Sequence, residues 1–178
     1  MLNRRQTFAG FALTFTAVSF GLTTAARAQS LAWAPTALTP AQARTVDAVA
    51  ELIVPATDTP GARAAGVPQF IDRALGSWCD PTQAKLLRDG LDGLDADARA
   101  AHAAAFADLT AAQQTALLTR YDDVRAPQRR FFALLKELTT IGYFTSKPGA
   151  TVALRYDPVP GAYRGCVPMK EIGRAWAT

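Results

Sequence analysis

The 178 residues hold a single histidine, His102, and two cysteines, Cys79 and Cys166. So few imidazoles and thiols leave little from which to build a metal centre or an activated nucleophile. His102 sits among Ala101, Ala103, Ala104 and Ala105, with no Cys, His or Glu at ligand spacing, so a structural or exposed role is expected. There is no Cys-x-x-Cys-His haem attachment, no Gly-x-Gly-x-x-Gly following a strand, and no phosphate loop. No serine or cysteine has a base partner other than the lone histidine. Asp95 with Asp97, and Asp122 with Asp123, are carboxylate pairs of the kind that helix ends collect. Asp58, between two threonines, reads as a turn or cap residue. Catalytic, cofactor-binding and metal-binding residues are therefore all expected to be none in this chain.

Long hydrophobic runs are also missing. The longest apolar stretch, from Phe8 to Thr24, is diluted by Thr, Ser and Gly and falls short of the ~20 residues needed to span a bilayer. Arg4 and Arg5 precede it, and Ala26-Arg27-Ala28 supplies a small-x-small cleavage site. Residues 1–28 thus read as an export signal. Paired arginines mark the twin-arginine route, which carries folded proteins, although Thr7 stands where that pattern usually has Phe. A periplasmic location is expected, with any inner-membrane attachment made through a complex.

Excess charge of one sign is absent once the leader is set aside. Of 19 basic residues, Arg4, Arg5 and Arg27 leave with the leader, so 16 face 15 acidic ones and the net charge is +1. No basic field remains to hold nucleic acid or anionic lipid. About 150 residues remain, enough for one domain with one core. An exported chain meets an oxidising compartment, so Cys79 and Cys166 are expected to be joined; free thiols and a bridge to another chain are the alternatives.

No segment alternates with period two, so the expected class is all-α, a small helical bundle. Residues 29–38 read as a flexible lead-in. Thr39 and Pro40 signal a helix start, followed by Val46, Val49, Ala50 and Ile53 at helical spacing and a stop at Pro55. A second helix opens near Val67-Pro68 and runs through Phe70, Ile71 and Leu75. Asp80-Pro81 opens a third, with Leu86, Leu87, Leu91 and Leu94 inward and Gly90 and Gly93 weakening it. A separate alanine-rich helix is expected over 95–109. Thr110 caps the next, and Pro127 opens the most apolar one, whose Phe131, Phe132, Leu135, Leu138, Ile141 and Phe144 cover much of its circumference. The helical domain is expected to span 39–146. Residues 147–178 form a Pro/Gly-rich extended C-terminal strap, folded over the bundle or laid on a partner protein.

Two blocks carry a resemblance. The stretch LIVPATDTPGARAAGVPQFIDRAL, residues 52–75, contains a helix ending in Val54-Pro55, a loop with Thr57 and Asp58, then Pro60-Gly61, Val67 and Phe70-Ile71-Asp72. The stretch 131–169 contains an apolar helix ending Gly142-Tyr143-Phe144, then Pro148-Gly149, Tyr156, and Pro160-Gly161 with Tyr163 behind. Together they resemble the gluconate 2-dehydrogenase subunit 3 family; residues 77–127 match it only in helical texture.

The resemblance implies a small accessory subunit of a bacterial dehydrogenase that oxidises sugars, sugar acids or glycosides outside the cytoplasm. The catalytic large subunit of such complexes is similar to glucose-methanol-choline oxidoreductases and holds FAD, often with a cytochrome c subunit, bearing haem c, as electron acceptor. The twin-arginine address would then serve a partner that folds around FAD before export. Pro55, Thr57, Asp58, Pro60, Gly61, Val67, Phe70, Tyr143, Phe144, Tyr156, Pro160 and Tyr163 are the expected partner interface. The alternative is a free-standing periplasmic helical domain that binds a ligand or assists folding.

Overall fold

Thr39 turns the chain into helix. Its Oγ1 accepts from the Gln42 amide at 3.3 Å, and Gln42 Oε1 accepts from the Thr39 amide at 3.1 Å, a reciprocal cap that satisfies two free donors. The computed structural model describes residues 31, 33–159, 161–162 and 165–177. Helix α1 (Pro40–Ile53) is followed by α2 (Val67–Ser77) and by α3 (Pro81–His102), whose first amides are held by Asp80. A 3-10 turn (Phe106–Asp108) leads to α4 (Ala111–Asp122), capped by Thr110 and Gln113 as α1 is by Thr39 and Gln42. Then come α5 (Arg129–Phe144), a π-helical turn (Gly149–Ala153) and the short α6 (Met169–Ile172). The fold is all-α. Among the described residues the one sheet-like pairing is an isolated bridge between Arg155 and Trp176.

Helices α1 and α5 form the centre. Helix α5 touches α1, α2, α3 and α4, and α1 also packs on α2, α3 and the 3-10 turn. Val46, Val49, Ile71, Leu87, Leu91, Leu94, Leu135 and Leu138 meet there, fully or almost fully buried. Each such side chain contributes about 1.5–3 kcal/mol of burial. Among the described residues no helix is long and apolar enough to cross a membrane.

Several expectations are corrected. The alanine-rich stretch after residue 95 is not a separate helix: α3 runs unbroken to His102 because Leu87, Leu91, Leu94 and Ala98 make one continuous buried stripe. It stops where Ala103 adopts a left-handed conformation, φ +56°. Helix α5 starts at Arg129, two residues after Pro127, and its apolar circumference is not wholly buried, since Ile141 and Phe144 remain exposed. The lead-in is not loose over residues 36–38, which are tied to α2 by Asp72. Among its described residues the strap is not extended throughout: it coils into the π turn, which packs on α5, and into α6, is bridged between Arg155 and Trp176, and leaves most of those side chains exposed.

Candidate partner-binding surface

The loop between α1 and α2 is built as a rigid projection. Glu51, near the end of α1, accepts from the Ala56 amide at 3.2 Å and from the Arg63 amide at 2.9 Å. Arg63 Nε in turn donates to Asp47 at 2.8 Å. From the opposite side the Tyr143 hydroxyl donates to the Pro60 carbonyl at 2.8 Å. Gly61 sits where any Cβ would come within 2.4 Å of Glu51 Oε1 and 2.7 Å of the Ala56 amide nitrogen, so no larger residue fits under the loop. Between these ties Pro55, Ala56, Thr57 and Asp58 stand exposed, with Thr57 Oγ1 donating to Asp58 at 2.9 Å and the Thr57 amide donating to the Thr59 carbonyl at 3.0 Å. Asp58 is thus a turn residue. An exposed loop held this firmly loses little conformational entropy on binding.

The two resemblance blocks meet here. Tyr143 and Pro60 lie far apart in sequence yet share a hydrogen bond, so the 55–61 loop and the C-terminal end of α5 form one end of the molecule. Tyr143 is buried and its ring meets Phe144 edge-on at 5.2 Å, leaving Phe144 41% exposed. The π turn packs onto α5, and beyond it Tyr156 is 57% exposed. On α2, half-buried Phe70 seats over Gly142 of α5 and lies 6.1 Å from the ring of exposed Trp78.

The expected interface therefore divides. Pro55, Thr57, Asp58, Phe144 and Tyr156 are free to touch another protein. Gly61, Val67 and Tyr143 are buried within the chain itself and act through what they position. Pro60 and Phe70 are half-buried. Pro160 and Tyr163 lie outside the described residues, as do Arg4, Arg5, Phe8, Ala26 and Ala28 of the leader.

The bridge expected between Cys79 and Cys166 is not formed; both are free thiols. Cys79, just past α2, is half-buried against the core, and burial followed by the neighbouring Asp80 charge pushes its thiol up, away from the reactive thiolate. Cys166 is exposed on an arm that closes on itself rather than on α2.

One organising residue escaped the sequence reading. Asp72 is only 3% exposed, and its carboxylate accepts from the Thr36 amide (2.9 Å), the Thr36 hydroxyl (2.7 Å), the Ala37 amide (2.9 Å) and the Leu38 amide (2.9 Å). Burial pushes this carboxyl up, but the Thr36, Leu38 and Ala37 hydrogen bonds outweigh it and hold the group below its ordinary value. A signal was available: Asp72 falls on the same face as Pro68, Ile71 and Leu75, and an acid on an apolar stripe needs partners.

The two carboxylate pairs noted in the sequence are engaged structurally. Asp95 holds the Phe106 amide and Arg99, Asp97 accepts from the Tyr121 hydroxyl, Asp122 pairs with Lys136, and Asp123 caps the Arg125 amide. The Asp97 contact, after burial, raises the Tyr121 phenol well above its ordinary value. His102 is exposed, its Nδ1 lying 3.3 Å from Gln113 Nε2. No group of three or more His, Cys, Asp or Glu among the described residues could hold a metal ion.

The described residues form a small all-α domain with a braced, exposed loop, its polar residues mostly engaged in its own architecture. The chain belongs to the gluconate 2-dehydrogenase subunit 3 family, whose model matches residues 40–161. That family is described as a subunit of a dehydrogenase. No curated protein and no solved structure matches the chain.

Proposed function

We propose that this chain is the small, non-catalytic subunit of a periplasmic FAD-dependent dehydrogenase of glucose-methanol-choline type that acts on a sugar, sugar acid or glycoside. It stabilises the catalytic subunit and carries it, folded around FAD, through the twin-arginine route. Electrons pass to a cytochrome c subunit in complexes that possess one. The observation that supports this reading is the family match over residues 40–161, which takes in the 55–61 loop and the C-terminal end of α5 that the fold brings together. The leader supplies the reason for escort. A flavoprotein must fold around its cofactor in the cytoplasm, and a folded cargo needs a folded-protein route.

The test is to replace Arg4 and Arg5 with Lys in the organism that makes this chain, following the FAD-dependent dehydrogenase subunit that co-purifies with the wild type. Both proteins and the dehydrogenase activity are expected to stay in the cytoplasm. Export of the active flavoprotein while this chain is retained refutes the escort role.

A further inference from the structure

The C-terminal arm has a feature that the proposed function does not use. Arg155 is tied to the end of the arm: its amide donates to the Ala175 carbonyl at 2.8 Å, and the Ala177 amide donates to the Arg155 carbonyl at 2.9 Å. The closure creates a cleft of about 410 Å³ with Arg155 and Arg174 on its wall beside Tyr156, Leu154 and Ile172. Both guanidinium groups are positioned by neutral partners. Arg155 lies 4.2 Å from the Trp176 ring centroid, and Arg174 donates to the Val152 carbonyl. No carboxylate among the described residues pairs with either one. Asp157, the acid nearest Arg155 in sequence, instead accepts from the Val159 amide at 3.1 Å, and Glu171, the acidic side chain nearest Arg174 in sequence, makes no ion pair with either arginine.

Charge is unevenly shared along the chain. Residues 147–178 contain five basic and two acidic residues, whereas residues 29–146 contain eleven basic and thirteen acidic. The arm is a basic projection on a slightly acidic body. Around its cleft Tyr156 and Trp176 are exposed, and Val159 is 80% exposed. Two guanidinium groups without a carboxylate partner among the described residues, set within an apolar and aromatic rim, match a carboxylate carried on a protein surface.

We infer that this arm is the docking element for the catalytic subunit, and that the Arg155–Arg174 cleft receives an acidic side chain of that subunit flanked by apolar residues. The inference rests on the function proposed above. It adds the contact: charge-assisted hydrogen bonds at the centre, with Tyr156 and Trp176 excluding water around them. The π turn joins the arm to α5, whose C-terminal end carries Phe144 and holds the 55–61 loop through Tyr143.

The test uses this chain co-expressed with the FAD-binding catalytic subunit that co-purifies with it, comparing wild type with the Arg155→Glu, Arg174→Glu double variant. Affinity is expected to fall roughly a hundredfold or more, as for loss of a buried interfacial charge pair. The helical circular dichroism of the isolated variant is expected to be unchanged, because the arm lies outside the core. Should the reversal disturb the fold, Arg155→Gln with Arg174→Gln keeps side-chain donors for the neutral partners and is expected to lose less affinity. Raising the salt concentration should weaken the wild-type complex more than either variant. Equal binding by wild type and variants overturns the docking arm while leaving the proposed function intact; failure of the wild type to bind overturns both. Arginine-dependent self-association, or arginine-dependent binding of free sodium gluconate to the isolated chain, assigns the cleft to another occupant and overturns the inference.

Discussion

Asp72→Asn tests whether one buried carboxylate anchors the start of the domain. Asparagine keeps the size of the side chain but loses the charge, and its amide nitrogen must face a donor. In the wild type four donors from Thr36, Ala37 and Leu38 converge on the two carboxylate oxygens. Hydrogen bonds to a charged group are each worth about 1.5–3 kcal/mol and are not additive, so a net loss of roughly 2–3 kcal/mol is expected. For a domain of about 150 residues that lowers the melting temperature by roughly 5–10 °C. The folded carboxyl is held below its ordinary value, so its contribution is fully present above the unfolded value of about 3.9 and is lost as pH falls through the lower folded value. Thermal melts of wild type and variant, followed by circular dichroism, should therefore differ at neutral pH and converge once the pH has fallen below the lowered folded value. An unchanged melting temperature at neutral pH, or a difference that persists undiminished in acid, refutes the anchor.

Two further outcomes are expected. Gly90→Ala and Gly93→Ala should have opposite signs: a Cβ at Gly90 would meet the buried Phe131 ring at 2.1 Å, whereas nothing lies within 4 Å at Gly93. Denaturant melts should show Gly93→Ala stabilising by up to about 1 kcal/mol from helix propensity, and Gly90→Ala destabilising, with an overpacking cost of about 1–3 kcal/mol opposing that gain. In the isolated chain, alkylation under non-reducing conditions should label Cys166 rapidly and Cys79 slowly; an unlabelled chain with the mass of an internal bridge contradicts the free-thiol arrangement.

Much of this architecture was legible in local chemistry. The caps Thr39, Asp80 and Thr110 and the apolar stripes of α1, α2 and α5 depend on residues within a few positions of one another, so the chain order announces them. The two resemblance blocks could be read for the same reason. Where local rules misled, a distant neighbour had overruled them. Gly90 looked like a weakness in α3 and proves to be the gap that lets α5 approach, because Phe131 fills it. Ile141 belongs to the apolar circumference of α5 and is nevertheless exposed, because the helices that surround α5 leave that side uncovered.

The candidate surface depended most on tertiary structure. The sequence by itself determined the helical class, the shortage of reactive side chains and the family, since composition, period and motif are properties of the chain in order. Only the fold decided which signature residues face outward. Gly61, Val67 and Tyr143 turn inward to hold a loop that Thr57 and Asp58 then present. Asp72 gains its three consecutive backbone donors only when the lead-in crosses α2. Arg155 and Arg174 become neighbours only when the arm closes. Burial and convergence arise from contacts between segments far apart in the chain, and no local pattern encodes which of those contacts will form.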